Sequence, residues 1–222
     1  MGWLASSLAQ AGDLGEVLAR RVDSSGVDYA GWKASAEDRK TLVDFTESAA
    51  IQDLGSYSRE EKMAFLINAY NAWMLRLVLE KYPVASVKDI APNFGVFSRP
   101  LIRVAGREMS LNDLEKGWLL KEFKEPRVHF AVNCASRSCP PLLPKLWKAE
   151  TLEADLEAAA RDYLTRNPLG VDPASGRISQ IFEWYAADFS GREGVRSFLK
   201  KYRPVPEKLA FLEYDWTLNS KQ

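Results

Sequence analysis

Apolar side chains recur at helical spacing through much of the chain. Between Arg59 and Lys81, the residues Met63, Leu66, Ile67, Tyr70, Met74, Leu77 and Val78 share one face, and Phe65, Ala69, Ala72, Trp73 and Leu79 cover much of the rest. A helix apolar on nearly every side is a buried, central helix. Ser58 with Glu61 makes a capping box at its start, and Tyr82-Pro83 ends it. Asn68 and Asn71 therefore sit three residues apart on a mostly buried element, where each amide must find partners. Further helices are predicted over residues 4–22 and 36–54, and from Leu111 to about Lys121 behind a Ser110/Asp113 cap. Two more run through Leu152, Leu156, Ala159, Ala160 and Tyr163, stopping before Asn167-Pro168, and from about Arg192 to Lys201.

Strand signals are fewer. Leu101–Val104 and Arg107–Met109 flank Ala105-Gly106 as a hairpin. Arg127–Asn133 alternates, with Val128, Phe130 and Val132 on one side and His129, Ala131 and Asn133 on the other. Asp172–Gly176 is a turn between two short strand candidates, and Val27–Trp32 reads as a connector. Helices dominate and the strands are unevenly separated. The expected class is therefore α+β, mainly helical, with a small, mostly antiparallel sheet. The expected organisation is an N-terminal helical extension over residues 1–26 and a single globular domain over 27–222.

Composition narrows the function. At 222 residues and 46% hydrophobic, the chain is long enough to build its own core. Lys+Arg and Asp+Glu are 30 each, which argues against a nucleic-acid binder driven by phosphate neutralisation. No apolar run approaches the roughly 18 residues of a membrane span. No glycine-rich phosphate loop is present, no cofactor is implied, and the expected partner is a small-molecule or peptide substrate. Oligomeric state is not legible. Ala9-Gln10-Ala11 looks like a small-residue cleavage signal without a basic start, so a trimmed signal would make the protein periplasmic or secreted, and otherwise it is cytoplasmic. Met1-Gly2 with Ser6 also fits the short myristoylation pattern.

The informative segment is RVHFAVNCASRSCPP, residues 127–141. It holds the only histidine and both cysteines, with His129, Cys134 and Cys139 spaced five apart. One reading is a cysteine nucleophile with His129 as base, since a thiol needs a partner that favours the thiolate. Cys139 is the preferred nucleophile: Pro140-Pro141 suits a first helical turn, and Arg137 adds positive charge. Cys134 is the other candidate. Glu115 would orient the imidazole, and Asn71 or Asn133 would serve instead or donate to an oxyanion. A Cys134–Cys139 disulfide is a second reading, within a non-catalytic module whose aromatic cleft holds a ligand, or as a redox pair. Zinc is a third, although the spacing matches neither a structural finger nor a deaminase and no metal is expected. Two buried thiols and a hydrogen-bonded core histidine make a fourth. Trp184, Tyr185 and Asp188, in WYAADF, form an aromatic and acidic patch that lines a pocket or belongs to the core.

Four stretches resemble the domain of unknown function 547 family: AFLINAYNAWMLRLVLEKYP at 64–83, MSLNDLEKGWL at 109–119, EPRVHFAVNCASRSCPPL at 125–142 and IFEWYAADF at 181–189. The resemblance runs from about Val27 to Tyr202. It implies that Asn68, Tyr70, Asn71, Glu115, His129, Cys134, Cys139, Trp184, Tyr185 and Asp188 lie in the family's signature segments, and that bacterial members often carry export signals. The family's glutamate is commonly followed by histidine, where this chain has Lys116. Plant members tend to replace the position of Cys139, which keeps Cys134 in play. A histidine strand before a helix-start cysteine is also similar to permuted papain- and transglutaminase-like enzymes, as a fold-level analogy.

The expected chemistry is thiol-dependent acyl transfer on an amide or peptide-like substrate. Cys139 or Cys134 attacks, with His129 and Glu115 in support and Asn68, Tyr70, Asn71, Asn133, Arg137, Trp184, Tyr185 and Asp188 as substrate contacts.

Overall fold

The longest element of the computed structural model, which describes residues 14–205 and 208–221, is the helix that the hydrophobic pattern marks most strongly. Helix α4, Arg59–Lys81, begins at the predicted capping box: Ser58 Oγ accepts from the Glu61 amide at 3.2 Å, and Glu61 returns the bond to the Ser58 amide at 2.8 Å. Its Leu66, Ile67, Tyr70, Met74 and Val78 are buried. Helices α1 (residues 14–21), α2 (Tyr29–Ala34) and α3 (Ala36–Ile51) contribute to the same core.

Residues 14–26 are not a separate extension. Leu14, Val17, Leu18 and Val22 are buried in the same core as α4. The buried carboxylate of Asp38 on α3 accepts from Arg20 at 2.9 Å and from Arg21 at 2.8 Å, tying α1 to α3. Strands β1 (Val22–Asp23) and β2 (Gly26–Val27) pair antiparallel across the proposed boundary. Val27–Trp32 is therefore a strand end and a helix start rather than a connector. The physical reason is Asp28, whose side chain accepts from the Gly31 amide and caps α2. The predicted start of α1, the Ala9-Gln10-Ala11 signal and the Met1-Gly2 pattern lie outside the described residues.

The chain continues through α5 (Gly95–Ser98) and the antiparallel hairpin of β3 (Ile102–Val104) and β4 (Arg107–Met109). Behind the Ser110/Asp113 cap the predicted helix is wound as a π-helix over Asp113–Leu120, continuing into α6, Lys121–Phe123. Such wide-turn segments are rare and concentrate at functional sites. Helix α7 (Leu152–Thr165), α8 (Ile181–Trp184) and α9 (Gly191–Lys200) gather a second, smaller core around Phe130, Tyr163, Phe182, Phe189 and Phe198. The fold is a mainly helical α+β domain, with two small antiparallel sheets among the described residues. No described helix is long and apolar enough to cross a membrane.

One predicted strand is absent. Residues Pro126–Phe130 form a 3-10 turn. Pro126 opens it, and the Glu125 side chain accepts from the Arg127 amide at 3.0 Å. Alternation misled because both sets are buried: His129 and Asn133 are as enclosed as Val128 and Phe130. Val128 packs in the large core and Phe130 in the small one, so His129 sits where the two cores meet.

Two side-chain amides of α4 clamp the loops packed against it. Asn71 donates to the Ala131 carbonyl at 2.9 Å and accepts from the Asn133 amide at 2.8 Å. Asn68 does the same for both backbone groups of Trp147, at 2.8 and 2.9 Å. Replacing Asn71 by Ala leaves two buried backbone groups unpaired, at about 1–3 kcal/mol each. The Asn71→Ala protein is expected to lose about 3 kcal/mol in urea unfolding and roughly 5–10 °C in Tm. A loss under about 1 kcal/mol would contradict the clamp.

Candidate active site

The cysteine loop is built by one side chain. Asn133 accepts from the Ala135 amide at 2.9 Å and donates to the Pro140 carbonyl at 2.7 Å, closing the turn from both ends. Ala135 takes a positive φ of 61° inside it. The C-terminal segment straps the loop in place: Arg137 and Ser138 donate from their amides to the Thr217 and Asp215 carbonyls, and the Asn219 amide donates to Ala135. Gly26 is required beneath that strap, because a Cβ there would lie 2.3 Å from the Asn219 carbonyl oxygen. No helix begins at Cys139. Both Cys139 and Pro140 precede a proline, which disfavours the helical conformation. The analogy to papain- and transglutaminase-like enzymes thus loses the strand histidine and the helix-start cysteine on which it rested.

Both cysteines are free thiols, and the disulfide of the second reading is not formed. They differ sharply. Cys134 is half-buried and lines a cleft of about 570 Å³. Its sulfur lies 2.9 Å from Ser136 Oγ and 3.3 Å from the Tyr214 hydroxyl. Burial pushes its thiol up, but hydrogen bonds from Cys139, Ser136 and Tyr214 outweigh burial and bring it down to about 7. Cys139 is buried behind it. Its sulfur accepts from the Cys134 amide at 2.9 Å and points toward the Val132 carbonyl at 3.9 Å. Burial and the neighbouring Cys134 push the Cys139 thiol well above the usual range.

His129 is fully engaged by carboxylates. Its Nε2 lies 2.9 Å from Asp188 and its Nδ1 3.6 Å from Glu115. Burial opposes the imidazolium, but Asp188 and Glu115 outweigh burial and raise its pKa above 6.5. The orienting carboxylate is thus Asp188, with buried Glu115 on the other nitrogen. Among the described residues no hydrogen bond joins His129 to either sulfur, so the expected thiol–imidazole pair is replaced by two separate systems. Tyr185 packs against the imidazole at a tilt, with ring centroids 4.2 Å apart and planes 41° from parallel.

The other predicted contacts divide. Tyr70, Trp184 and Tyr185 line the cleft with Glu115, His129 and both cysteines. Asn68, Asn71 and Asn133 do not; they are backbone clamps, because a buried amide is most stable with all its partners inside the protein. Exposed Arg137 lines a second cavity of about 560 Å³, which shares Cys139 with the first. Four cleft aromatics were not singled out from the sequence: Phe94, Phe97, Tyr214 and Trp216. Tyr214, Trp216 and Leu218 alternate at the end of the chain, a strand-like signal that would have flagged the strap. Among the described residues, no group of three His, Cys, Asp or Glu side chains is placed to hold a metal ion.

The model of one family, described as a protein of unknown function, DUF547, matches residues 54–164, half of the chain. The chain belongs to the DUF547 family. That match takes in α4, Glu115, His129 and both cysteines, and leaves Trp184, Tyr185, Asp188, Tyr214 and Trp216 beyond its end. The DUF547 segment therefore carries the histidine and both cysteines, and the later residues supply much of the aromatic wall. No curated protein matches the chain, and no solved structure does.

The single histidine makes the ion pair directly observable. Because the folded pKa is raised, its stabilising contribution is fully present below about pH 6.5 and is lost as pH rises through the folded value. The His129 ring proton is expected to titrate above 6.5 by NMR, and lower in Asp188→Asn. A wild-type midpoint at or below 6.5 would contradict the arrangement.

Proposed function

We propose that the chain is a thiol-dependent acyl-transfer enzyme, a hydrolase or transferase on an amide or ester carbonyl, with Cys134 as nucleophile. The observation that carries this reading is the half-buried Cys134 sulfur in the cleft, with two hydroxyls at hydrogen-bond distance and a buried thiol behind it. Hydrogen bonds to the charged form favour it, so neutral donors stabilise a thiolate without an adjacent cation. A lowered thiol pKa in a cleft is what nucleophilic catalysis requires.

The Cys134 thiolate attacks the acyl carbon, forming a thioester as the bond to the leaving group breaks. Tyr70 suits the developing oxyanion. Its hydroxyl makes no hydrogen bond among the described residues, and since no buried side-chain oxygen lacks a partner there, it opens into the cleft. Burial first, then the Glu115 and Cys134 charges, push its phenol well above the usual range and keep it a donor. The leaving group takes a proton from the His129–Glu115 pair, whose carboxylate borders the cleft. Water or an amine then attacks the thioester carbon, its proton returns to the His129–Glu115 pair, and the Cys134 thiolate leaves as the acyl group is released.

p-Nitrophenyl acetate tests the reading without knowledge of the natural substrate. A burst of p-nitrophenol and one acetyl group on the Cys134 peptide are expected. Cys134→Ala should abolish both, and Tyr70→Phe should slow acylation by about 100-fold. Undiminished acylation in Cys134→Ala would overturn the proposal.

A further inference from the structure

The mouth of the cleft carries charge that the acyl-transfer reading does not use. Lys116, next to the buried Glu115, lines the cleft, and its Nζ lies 5.2 Å from the centroid of the Tyr185 ring. Lys88 stands over two other cleft aromatics, with Nζ 5.3 Å from Phe94 and 5.5 Å from Trp216. Both lysines are exposed, and neither forms an ion pair among the described residues. Glu115 and Asp188 are both turned to His129. The two carboxylates nearest the reactive groups are thus both turned to one imidazolium, while the two ammonium groups at the mouth are held only against aromatic faces. Cation–π contact fixes an ammonium near a ring and leaves its three donors able to meet an anion.

Between these lysines two rings of the wall lie nearly parallel. Trp184, 47% exposed, stacks on Trp216 with centroids 5.6 Å apart and planes 22° from parallel. Such a face favours a planar or apolar body.

We infer that the cleft takes an anionic acyl substrate: a carboxylate-bearing molecule whose apolar body lies along the Trp184 and Tyr185 wall, with Lys116 as the specificity-determining anchor. The inference deepens the acyl-transfer reading and rests on Cys134 being the reactive thiol. Lys116 acts by recruiting the negative group to the mouth. It does not touch the reacting atoms, so it governs which acyl donors reach Cys134 rather than how the bond is made. A cationic substrate is disfavoured by the same two lysines.

Charge-matched alkylating agents read this directly. Iodoacetate and iodoacetamide carry the same reacting carbon and differ by one negative charge. Their rate constants at Cys134, followed by peptide mass, give a selectivity ratio for wild type, Lys116→Met, Lys116→Arg and Lys88→Met. The ratio of iodoacetate to iodoacetamide is expected to fall about fivefold in Lys116→Met, the upper range for one partly exposed charge interaction. Lys116→Arg should retain most of it, and Lys88→Met should lower it less. Raising ionic strength to about 1 M should compress the wild-type ratio, because screening then acts within about 3 Å.

A Cys134 that reacts readily but shows the same ratio in Lys116→Met and wild type overturns this inference and leaves the thiol reading standing. A Cys134 that alkylates no faster than an ordinary thiol removes the thiol reading, and the inference with it.

Discussion

The site depends on one buried amide. Asn133 binds the amide of Ala135 and the carbonyl of Pro140 with its own side chain, while its backbone N–H is held by Asn71 on the central helix. The Asn219 side chain adds a third contact, at 3.2 Å, from the far end of the chain. Residues more than sixty positions before it and eighty after it therefore meet at one residue. A buried amide whose oxygen and nitrogen are both hydrogen-bonded is costly to move, since any shift leaves polar groups unpaired in an apolar surround. That constraint lets a short irregular loop present Cys134 to the cleft and keep Cys139 behind it.

Two charge systems share the cleft and stay distinct. The sulfur of Cys134 is served by neutral donors, and the imidazole of His129 by carboxylates. Each satisfies the rule that a buried charge must be hydrogen-bonded or paired. The imidazolium therefore holds Glu115 and Asp188 and is not required to create the thiolate. The π-helical winding around Glu115 and the ion pairs from Arg127 to Glu125 and Glu153, both at 2.7 Å, brace this second system from neighbouring elements. Charge at the mouth belongs to neither, because Lys88 and Lys116 face rings.

Much of the scaffold was legible in the sequence because it follows local rules. Helix α4 shows it best: its cap, its terminating Tyr82-Pro83 and its buried faces all follow from residue spacing. The β3–β4 hairpin and α7 read equally well. The Arg127–Asn133 segment did not, because a period of two means one buried face only when the other face is wet, and here both are buried. The candidate site was legible in composition: Glu115, His129, both cysteines, Tyr70, Trp184 and Tyr185 do share a cleft. Their pairing was not legible. Which carboxylate holds Nε2, and which hydroxyls hold the sulfur, depends on contacts such as Cys134 with Tyr214, eighty residues apart. The asparagines were misassigned for a related reason: a buried amide looks the same in sequence whether it faces a ligand or a backbone.

The central claim is that the protein holds Cys134, and not Cys139, as a thiolate near neutral pH. The most direct measurement is the rate of iodoacetamide alkylation at each cysteine as a function of pH, resolved by peptide mass on the folded protein. The account predicts a midpoint of about 7 for Cys134, with Cys139 modified far more slowly and only at much higher pH. Equal reactivity of the two thiols, or a Cys134 midpoint at the ordinary value of about 8.5, would contradict it.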